Sequence, residues 1–417
     1  MAVVVAKFGG TSVGSPERIA AVARRLVARR AAGDDVVAVV SAMGDVTDEL
    51  VELAAQITPD PPDREMDMLL ATGEQVSIAL LAMAIHAQGA EAISFTGPQV
   101  GIITDTGHTK AKIREVRADC VRDELDAGRI VIVAGFQGMT ADGHITTLGR
   151  GGSDTTAVAV AAGIGADVCE IFTDVDGVFT ADPRIVPAAR KIDTISYEEM
   201  LELAASGAGV LNLRAVEFAR NHGVVVHCRS SFNEQPGTIV KEADETMEQA
   251  VISGVAHDTS EAKVTIRDVP DRPGVAADVF ERMAEANVNV DMIIQNVSEQ
   301  GTTDISFTVP KTDLARAKRA AELAVGDLGA RDWSVDEGIA KVSLVGAGMK
   351  THPGVAARMF RTLADAGVNI GMISTSTIRI TAVVAADEVE RAVRALHEAF
   401  ELSGAAGAAG AGEVEGE

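Results

Sequence analysis

From residue 263 onward the chain repeats itself, and this constrains its fold more than any other feature. Lys263-Val264-Thr265-Ile266 matches Lys341-Val342-Ser343-Leu344. Pro273-Gly274-Val275-Ala276-Ala277 returns 80 residues later as Pro353-Gly354-Val355-Ala356-Ala357. Asn289-Val290-Asp291-Met292-Ile293 returns at the same offset as Asn369-Ile370-Gly371-Met372-Ile373, and Phe280 aligns with Phe360. Two copies of one unit must each bury the same apolar face. Each copy reads strand, turn, helix, strand, turn, strand, helix, an α+β sandwich with its helices on one sheet face. The strand-like stretch 250–256 could complete either copy. A purely structural duplication competes with a pair of ligand-binding units. The tail Gly404 to Glu417 is Gly, Ala and Glu apart from Val414, and disorder is expected there.

The first 240 residues follow a different rule. Ala2-Val3-Val4-Val5-Ala6 reads as a strand; Ser15 and Pro16 read as N-cap and first helical residue. Ile19, Val22, Ala23, Leu26 and Val27 then recur at helical spacing until Gly33. Buried-type strands are expected at 36–40, 130–134, 168–172 and 224–227, with helices between them. Such alternation gives a mainly parallel sheet covered by helices, whose ligands gather at the carboxyl ends of the strands. Lys7, Ser41, Gly135 and Thr173 all fall at such ends.

The chemistry concentrates in a few segments. Lys7-Phe8-Gly9-Gly10-Thr11-Ser12 puts a compact positive charge before two residues without Cβ, an arrangement that suits a triphosphate. It matches neither the Walker pattern nor the dinucleotide fingerprint. Taken alone, Lys-x-Gly-Gly is more often an ordinary strand end and turn. Gly149-Arg150-Gly151-Gly152-Ser153-Asp154-Thr155-Thr156 opens a helix whose free amides and dipole favour an anion. Arg150 offers a planar fork for a carboxylate. Asp154 could steer Lys7 or a metal-bound phosphate, with a plain helix-capping role as the competing reading. Thr173-Asp174-Val175-Asp176-Gly177-Val178 followed by Asp182-Pro183-Arg184 suits ribose and phosphate contacts.

Composition narrows the function classes. A formal net charge of −24 and a pI near 4.7 oppose binding to nucleic acid or anionic membrane. With no leader-like N-terminus and no uninterrupted apolar run of spanning length, a cytoplasmic protein is expected. Cys120, Cys169 and Cys228 are odd in number and far apart, so buried free thiols are expected rather than disulfides or a metal cluster. His222 and His227 suit structural roles better than ligation.

Together, Lys7-Phe-Gly-Gly-Thr-Ser, Ser41-Ala-Met-Gly, Gly149-Arg-Gly-Gly-Ser-Asp and Thr173-Asp-Val-Asp-Gly-Val with Asp182-Pro-Arg resemble aspartate kinase, of the amino-acid kinase superfamily. The resemblance spans nearly all of 1–402, and the repeat looks like the family's tandem ACT domains, most similar to the actinobacterial type regulated by lysine and threonine. The resemblance implies a catalytic domain over 1–246, a linker with a strand over 247–262, ferredoxin-like ACT domains over 263–338 and 339–402, and a tail over 403–417. The implied reaction transfers the γ-phosphate of ATP, with Mg²⁺, to the side-chain carboxylate of L-aspartate, giving 4-phospho-L-aspartate for lysine, threonine and methionine synthesis.

By motif match, Lys7 would stabilise the transferring phosphoryl group and Asp154 would hold Lys7. Arg150 would pair with the substrate α-carboxylate and Glu74 with its α-ammonium, while Ser41, Thr47 and Ser153 line the same pocket. Read without the family, Glu74 is a solvated helix residue. Lys7, Phe8, Gly9, Gly10, Thr173, Asp174, Phe179 and Arg184 map to the nucleotide, and no residue maps to a protein-held metal site. Gly209 stands where many members carry a nucleotide-contacting lysine, and Phe179 where tyrosine is common.

In the repeats, Asp271, Gly274, Ala276, Gln295, Asn369 and Ile370 would line a threonine-type effector pocket, with lysine in the related one and inhibition by both together. Self-association through the ACT domains is implied, as is a shorter subunit from Met247 pairing with the full chain as α2β2. A kinase of glutamate or a nucleotide, and a non-catalytic amino-acid sensor, are the other classes. The ACT-like repeats with Arg150 and Glu74 oppose the former; Lys7 and Asp154 oppose the latter.

Overall fold

A computed structural model describes residues 2–243, 251–296, 301–350 and 352–403. The expected boundary at 246/247, Met247 and the tail from 404 lie outside the described residues. The chain forms two compact units. The first takes residues 2–178, 191–204 and 209–243; the second takes 179–190, 205–208 and the chain from 251 on.

The first unit is built on an eight-stranded sheet in the order Thr194–Ser196, Thr238–Lys241, Val226–Ser230, Val168–Thr173, Val3–Phe8, Asp35–Val40, Ile130–Ala134, Ala92–Phe95. Every pairing is parallel except that of Val226–Ser230 with Thr238–Lys241. Val36 to Val40 are all buried, as a sheet covered on both faces requires. Ser15 Oγ accepts the Arg18 amide and Pro16 opens the helix Pro16–Ala31, whose Ile19, Val22, Ala23 and Leu26 are buried. The last expected strand, 224–227, is found two residues on, at Val226–Ser230.

Sequence reading did not foresee a second sheet in this unit. Ile113–Val116, Ile102–Thr104, Gln137–Thr140 and Ile145–Thr147 pair in that order. Three- and four-residue strands are too short to show a period. The helix Asp63–His86 is long and apolar enough to cross a membrane by composition alone. Its buried face carries Asp67, Glu74 and Ser77 beside Leu70, Ile78, Leu81 and Ile85, and its apolar side packs in the same core as Val36, Ile130 and Ile132.

The second unit contains both repeats, each a four-stranded sheet. The first has the order Ile293–Gln295, Thr302–Pro310, Glu261–Pro270, Asp332–Asp336; the second, Gly254–Asp258, Ile339–Val345, Arg379–Ala385, Met372–Thr375. All pairings are antiparallel. The helices Val275–Glu285 and Leu314–Leu328 supply Val279, Met283, Ala317 and Ala321 to the first core, against Val264, Ile266, Ile305 and Phe307. The strand whose allegiance the sequence left open belongs to the second repeat, because Gly254–Asp258 pairs with Ile339–Val345. The chain therefore starts the second sheet, builds the whole first repeat, and returns. Met292 and Ile294 of the first repeat pack with Ile339, Met372 and Val383 of the second.

Segment 179–190 is fastened within this unit. The Val255 amide donates to the Thr180 carbonyl (2.8 Å), and Thr180 Oγ1 lies 2.9 Å from His397 Nε2 and 3.1 Å from the Leu402 carbonyl. Arg394 Nε donates to the Ile185 carbonyl at 3.0 Å.

Lys341 is 3% exposed, with Nζ 2.8 Å from Glu261, 2.8 Å from Asp291 and 3.6 Å from Asp258. Burial opposes its charge, but hydrogen bonds to Asp291 and Glu261 outweigh that and raise its pKa. Its stabilising contribution is present below the ordinary lysine range and is lost as pH climbs above it. Lys341→Met leaves three carboxylates facing one another and should cost about 3–5 kcal/mol in urea unfolding at pH 7.5. The deficit should shrink in high salt, which screens like-charge repulsion; an equal deficit at low and high salt would rule out charge repulsion as its source.

Candidate active site

Lys7 leaves the sheet between Val39 and Ile171, its register partners on the flanking strands. Its Nζ lies 2.6 Å from Asp154 Oδ1, and both side chains are 13% exposed. Asp154 sits in the first turn of the helix Gly152–Ile164. Gly135, just past the strand Ile130–Ala134, lets that helix come so close: a Cβ there would lie 2.7 Å from Ser153 Cβ. A helix N-terminus, a lysine and a glycine loop thus converge, an arrangement that receives phosphate oxygens.

Gly9 and Gly10 lead into a turn over Gly10–Ser12, where Ser12 Oγ lies 2.6 Å from Ser231 Oγ. The Ser41 amide donates to the Phe8 carbonyl and the Gly44 amide to the Gly10 carbonyl, both at 3.1 Å. Loop 41–44 and the glycine loop are therefore one hydrogen-bonded piece. The Phe8 ring is 1% exposed and stacks on Phe172 at 4.8 Å. Only the Phe8 backbone can face a nucleotide.

Glu74 is 3% exposed, so it is no solvated helix residue. The Ala42 amide donates to its Oε1 at 3.2 Å, while Oε2 is buried with no hydrogen-bond partner among the described residues. The helix can press on loop 41–44 because residue 73 is glycine; a Cβ there would lie 2.9 Å from Ala42 Cβ. Burial pushes the Glu74 carboxyl up to about 7, against the pull of hydrogen bonds from its own amide and that of Ala42. Thr47 lies in the neighbouring helix Val46–Ile57, none of whose residues is buried.

Arg150 is exposed, just after the strand Ile145–Thr147 of the small sheet. Its carbonyl accepts from Asn212 Nδ2 at 3.2 Å, and Arg214 donates to the carbonyls of Leu148 and Ala111. Ser153 is 8% exposed. At the end of Val168–Thr173, Thr173 Oγ1 donates to Asp174 Oδ1 at 3.2 Å.

The structure thus gathers Lys7, Gly9, Gly10, Ser41, Thr47, Glu74, Arg150, Ser153, Asp154, Thr173 and Asp174 on the first unit. Phe179 and Arg184 belong instead to the second. Arg184 makes a two-pronged pair with Asp182, at 2.7 and 3.0 Å, that holds the Asp182 carboxyl below its usual range. Gly209 is exposed, next to segment 205–208 of the second unit. Among the proposed effector residues, Asp271, Gly274, Ala276 and Gln295 lie in the first repeat and Asn369 and Ile370 in the second. Gln295 ends an edge strand, and Asn369 and Ile370 precede one. Sequence reading missed Asn212 and Arg214, whose only signal is two polar residues opening the helix Leu213–His222.

Residues 2–230 match the model of the amino acid kinase family, and 267–324 and 342–400 match an ACT domain model. An aspartokinase of Mycolicibacterium smegmatis is 58% identical over 409 residues, covering 97% of each chain. One of Pseudomonas aeruginosa is 54% identical over 404 residues, 96% of this chain and 98% of the other. The chain belongs to the aspartokinase family. Among solved structures, E. coli aspartokinase III with aspartate and ADP, described as the R-state, superposes with a TM-score of 0.81 at 26% identity, covering 95% of this chain and 99% of that one. The same enzyme with lysine and aspartate, the T-state, gives 0.75 at 27% identity and the same coverage. Membership makes the chain a phosphotransferase under ACT-mediated allosteric control.

A methyl group at residue 135 would drive the helix bearing Asp154 away from Lys7. Gly135→Ala should lower kcat/KM about 100-fold, as misplacement near 1 Å does, with the folded state retained in a thermal melt. Unchanged turnover would show that the close approach of Ser153 is not needed.

Proposed function

We propose that the chain phosphorylates the side-chain carboxylate of L-aspartate with ATP and Mg²⁺, giving 4-phospho-L-aspartate, under inhibition by lysine and threonine. The observation that carries this reading is Glu74 Oε2, a buried acceptor with no donor among the described residues. A substrate ammonium supplies one, and Arg150 suits the α-carboxylate. That grip leaves the side-chain carboxylate to face Lys7 and Asp154.

The acceptor is already ionised near neutral pH, so no general base is required. A carboxylate oxygen attacks the γ-phosphorus, the bond to the β–γ bridging oxygen breaks, and ADP leaves with that electron pair. Both partners are anions, so the chain's main task is to place them and offset their repulsion. Lys7 supplies the charge and Asp154 keeps its ammonium aimed. Gly9, Gly10 and the start of the helix Gly152–Ile164 offer amides to phosphate oxygens, with Thr173 and Asp174 on the nucleoside side. Among the described residues no group of three or more His, Cys, Asp or Glu is placed to hold a metal ion. Mg²⁺ would come with the nucleotide and would add charge neutralisation at the phosphates.

Threonine is assigned to a pocket between ACT units lined by Asp271, Gly274, Ala276, Gln295, Asn369 and Ile370, and lysine to its counterpart. A shorter polypeptide starting at Met247 would pair with the full chain as α2β2; one full-length band from native cells would oppose it.

Trapping with hydroxylamine during ATP turnover should give aspartyl hydroxamate that disappears with lysine and threonine together. Lys7→Met should abolish it while sparing effector binding. No hydroxamate from the wild-type chain would overturn the reading.

Glu74 adds a pH dependence. Below about 7 it is neutral and attracts no ammonium, so KM for aspartate should rise roughly tenfold per pH unit there and stay flat above. Glu74→Gln should give a high KM with no such slope. Unfolding frees Glu74 to ionise near its ordinary value, so the wild type loses stability as pH climbs from the usual carboxylate range to about 7. The Gln variant should therefore melt higher at pH 8, with the gap closing toward pH 4.5; a gap of constant size would sink this account.

A further inference from the structure

Asp67 is fully buried in the first turns of the helix Asp63–His86, with no part in the chemistry described above. Its carboxylate accepts the Thr147 hydroxyl at 2.6 Å and the Thr109 amide at 3.0 and 3.2 Å, and lies 2.6 Å from His108 Nδ1. A buried carboxylate with this many donors is a fixed point rather than a swinging charge.

Both segments it grips bear on one loop. Thr147 ends the strand that runs through Leu148 and Gly149 into Arg150. Thr109 backs the same loop: a Cβ on Gly149 would lie 3.1 Å from the Thr109 carbonyl. The Ala111 amide also donates to the Thr147 carbonyl at 2.9 Å. Asp67 and Glu74 are seven residues apart on one helix, close to two full turns, so they share a face. One rigid helix therefore carries Glu74 directly and the Arg150 loop through Asp67.

We propose that Asp67, acting through Thr147 and Thr109, is a positioning residue that fixes the spacing between Glu74 and Arg150 and so selects the α-amino-acid end of the substrate. The inference rests on the assignment of Glu74 and Arg150 to that end. Asp67 touches no substrate. Its loss should loosen the amino-acid end and leave the nucleotide end, held by other elements, as it is. Uniform binding lost in this way appears in KM rather than kcat.

The test is steady-state kinetics on the full chain with both substrates varied. Asp67→Asn should raise KM for aspartate at least tenfold, with KM for ATP within twofold and kcat within threefold. Thr147→Val, which removes one hydroxyl at nearly constant volume, should raise the aspartate KM in the same selective way; Thr147→Ser should restore the wild-type value. In the double variant Asp67→Asn/Thr147→Val the effects should fall short of additive, since both break one contact. If Asp67→Asn does not fold, Thr147→Val carries the test alone. An unchanged aspartate KM in Thr147→Val, or a parallel rise for ATP, overturns the proposal. Failure of the wild-type chain to phosphorylate aspartate would instead overturn the functional reading beneath it.

Discussion

The site depends on a lysine and a carboxylate meeting at 2.6 Å above the end of a parallel sheet. Parallel register makes the meeting possible. Val3–Phe8 lies between Asp35–Val40 and Val168–Thr173, with Phe8 level with Val40 and Phe172. All three strands thus stop on one side, and the loops that follow them begin at one height. The antiparallel pair in the sheet involves Val226–Ser230 and Thr238–Lys241, beyond the strands that carry Lys7. Had strands alternated in direction at the centre, Lys7 and the loops after Val40 and Ala134 could not have shared an edge.

Glu74 shows the opposite economy. Burying a carboxyl with one oxygen unpartnered is unfavourable, and the rise of its pKa to about 7 expresses that cost. Such a cost persists in a fold where a ligand cancels it. The neighbouring Asp67 is equally buried but fully partnered, so the helix carries one satisfied carboxylate and one waiting acceptor on the same face. The difference between the two acids lies in the donors each meets, since both are carboxylates on one helix.

Long-period patterns were legible in the sequence, and short or non-local ones were not. The helix Pro16–Ala31 begins at the expected cap because Ser15 and Pro16 act locally. The strand Ile130–Ala134 falls where an unbroken apolar run put it. The small sheet that carries Arg150 escaped notice because its strands are three and four residues long. Read without the family, Glu74 looks like a surface residue because Gly73, the contact that buries it, meets Ala42 about thirty residues away in sequence. The Phe8 ring belongs to the core for a similar reason: Phe172 was not visible as its partner until the two strands paired.

The repeat was legible, its threading was not. Internal similarity fixes what each copy looks like but not which strand completes which sheet. Gly254–Asp258 joins Ile339–Val345 across the whole length of the first repeat, so the second sheet cannot close until the first repeat has been made. The same strand takes the Thr180 carbonyl as acceptor for Val255, and Thr180 in turn meets His397 on the last helix. Segment 179–190, with Phe179 and Arg184, is thereby built into the packing of the second repeat while remaining joined by the chain to Val178 and Lys191 of the first unit. Ala181, Ile185 and Val186 of the segment are part of that repeat's core, so the backbone that carries Phe179 and Arg184 is anchored there.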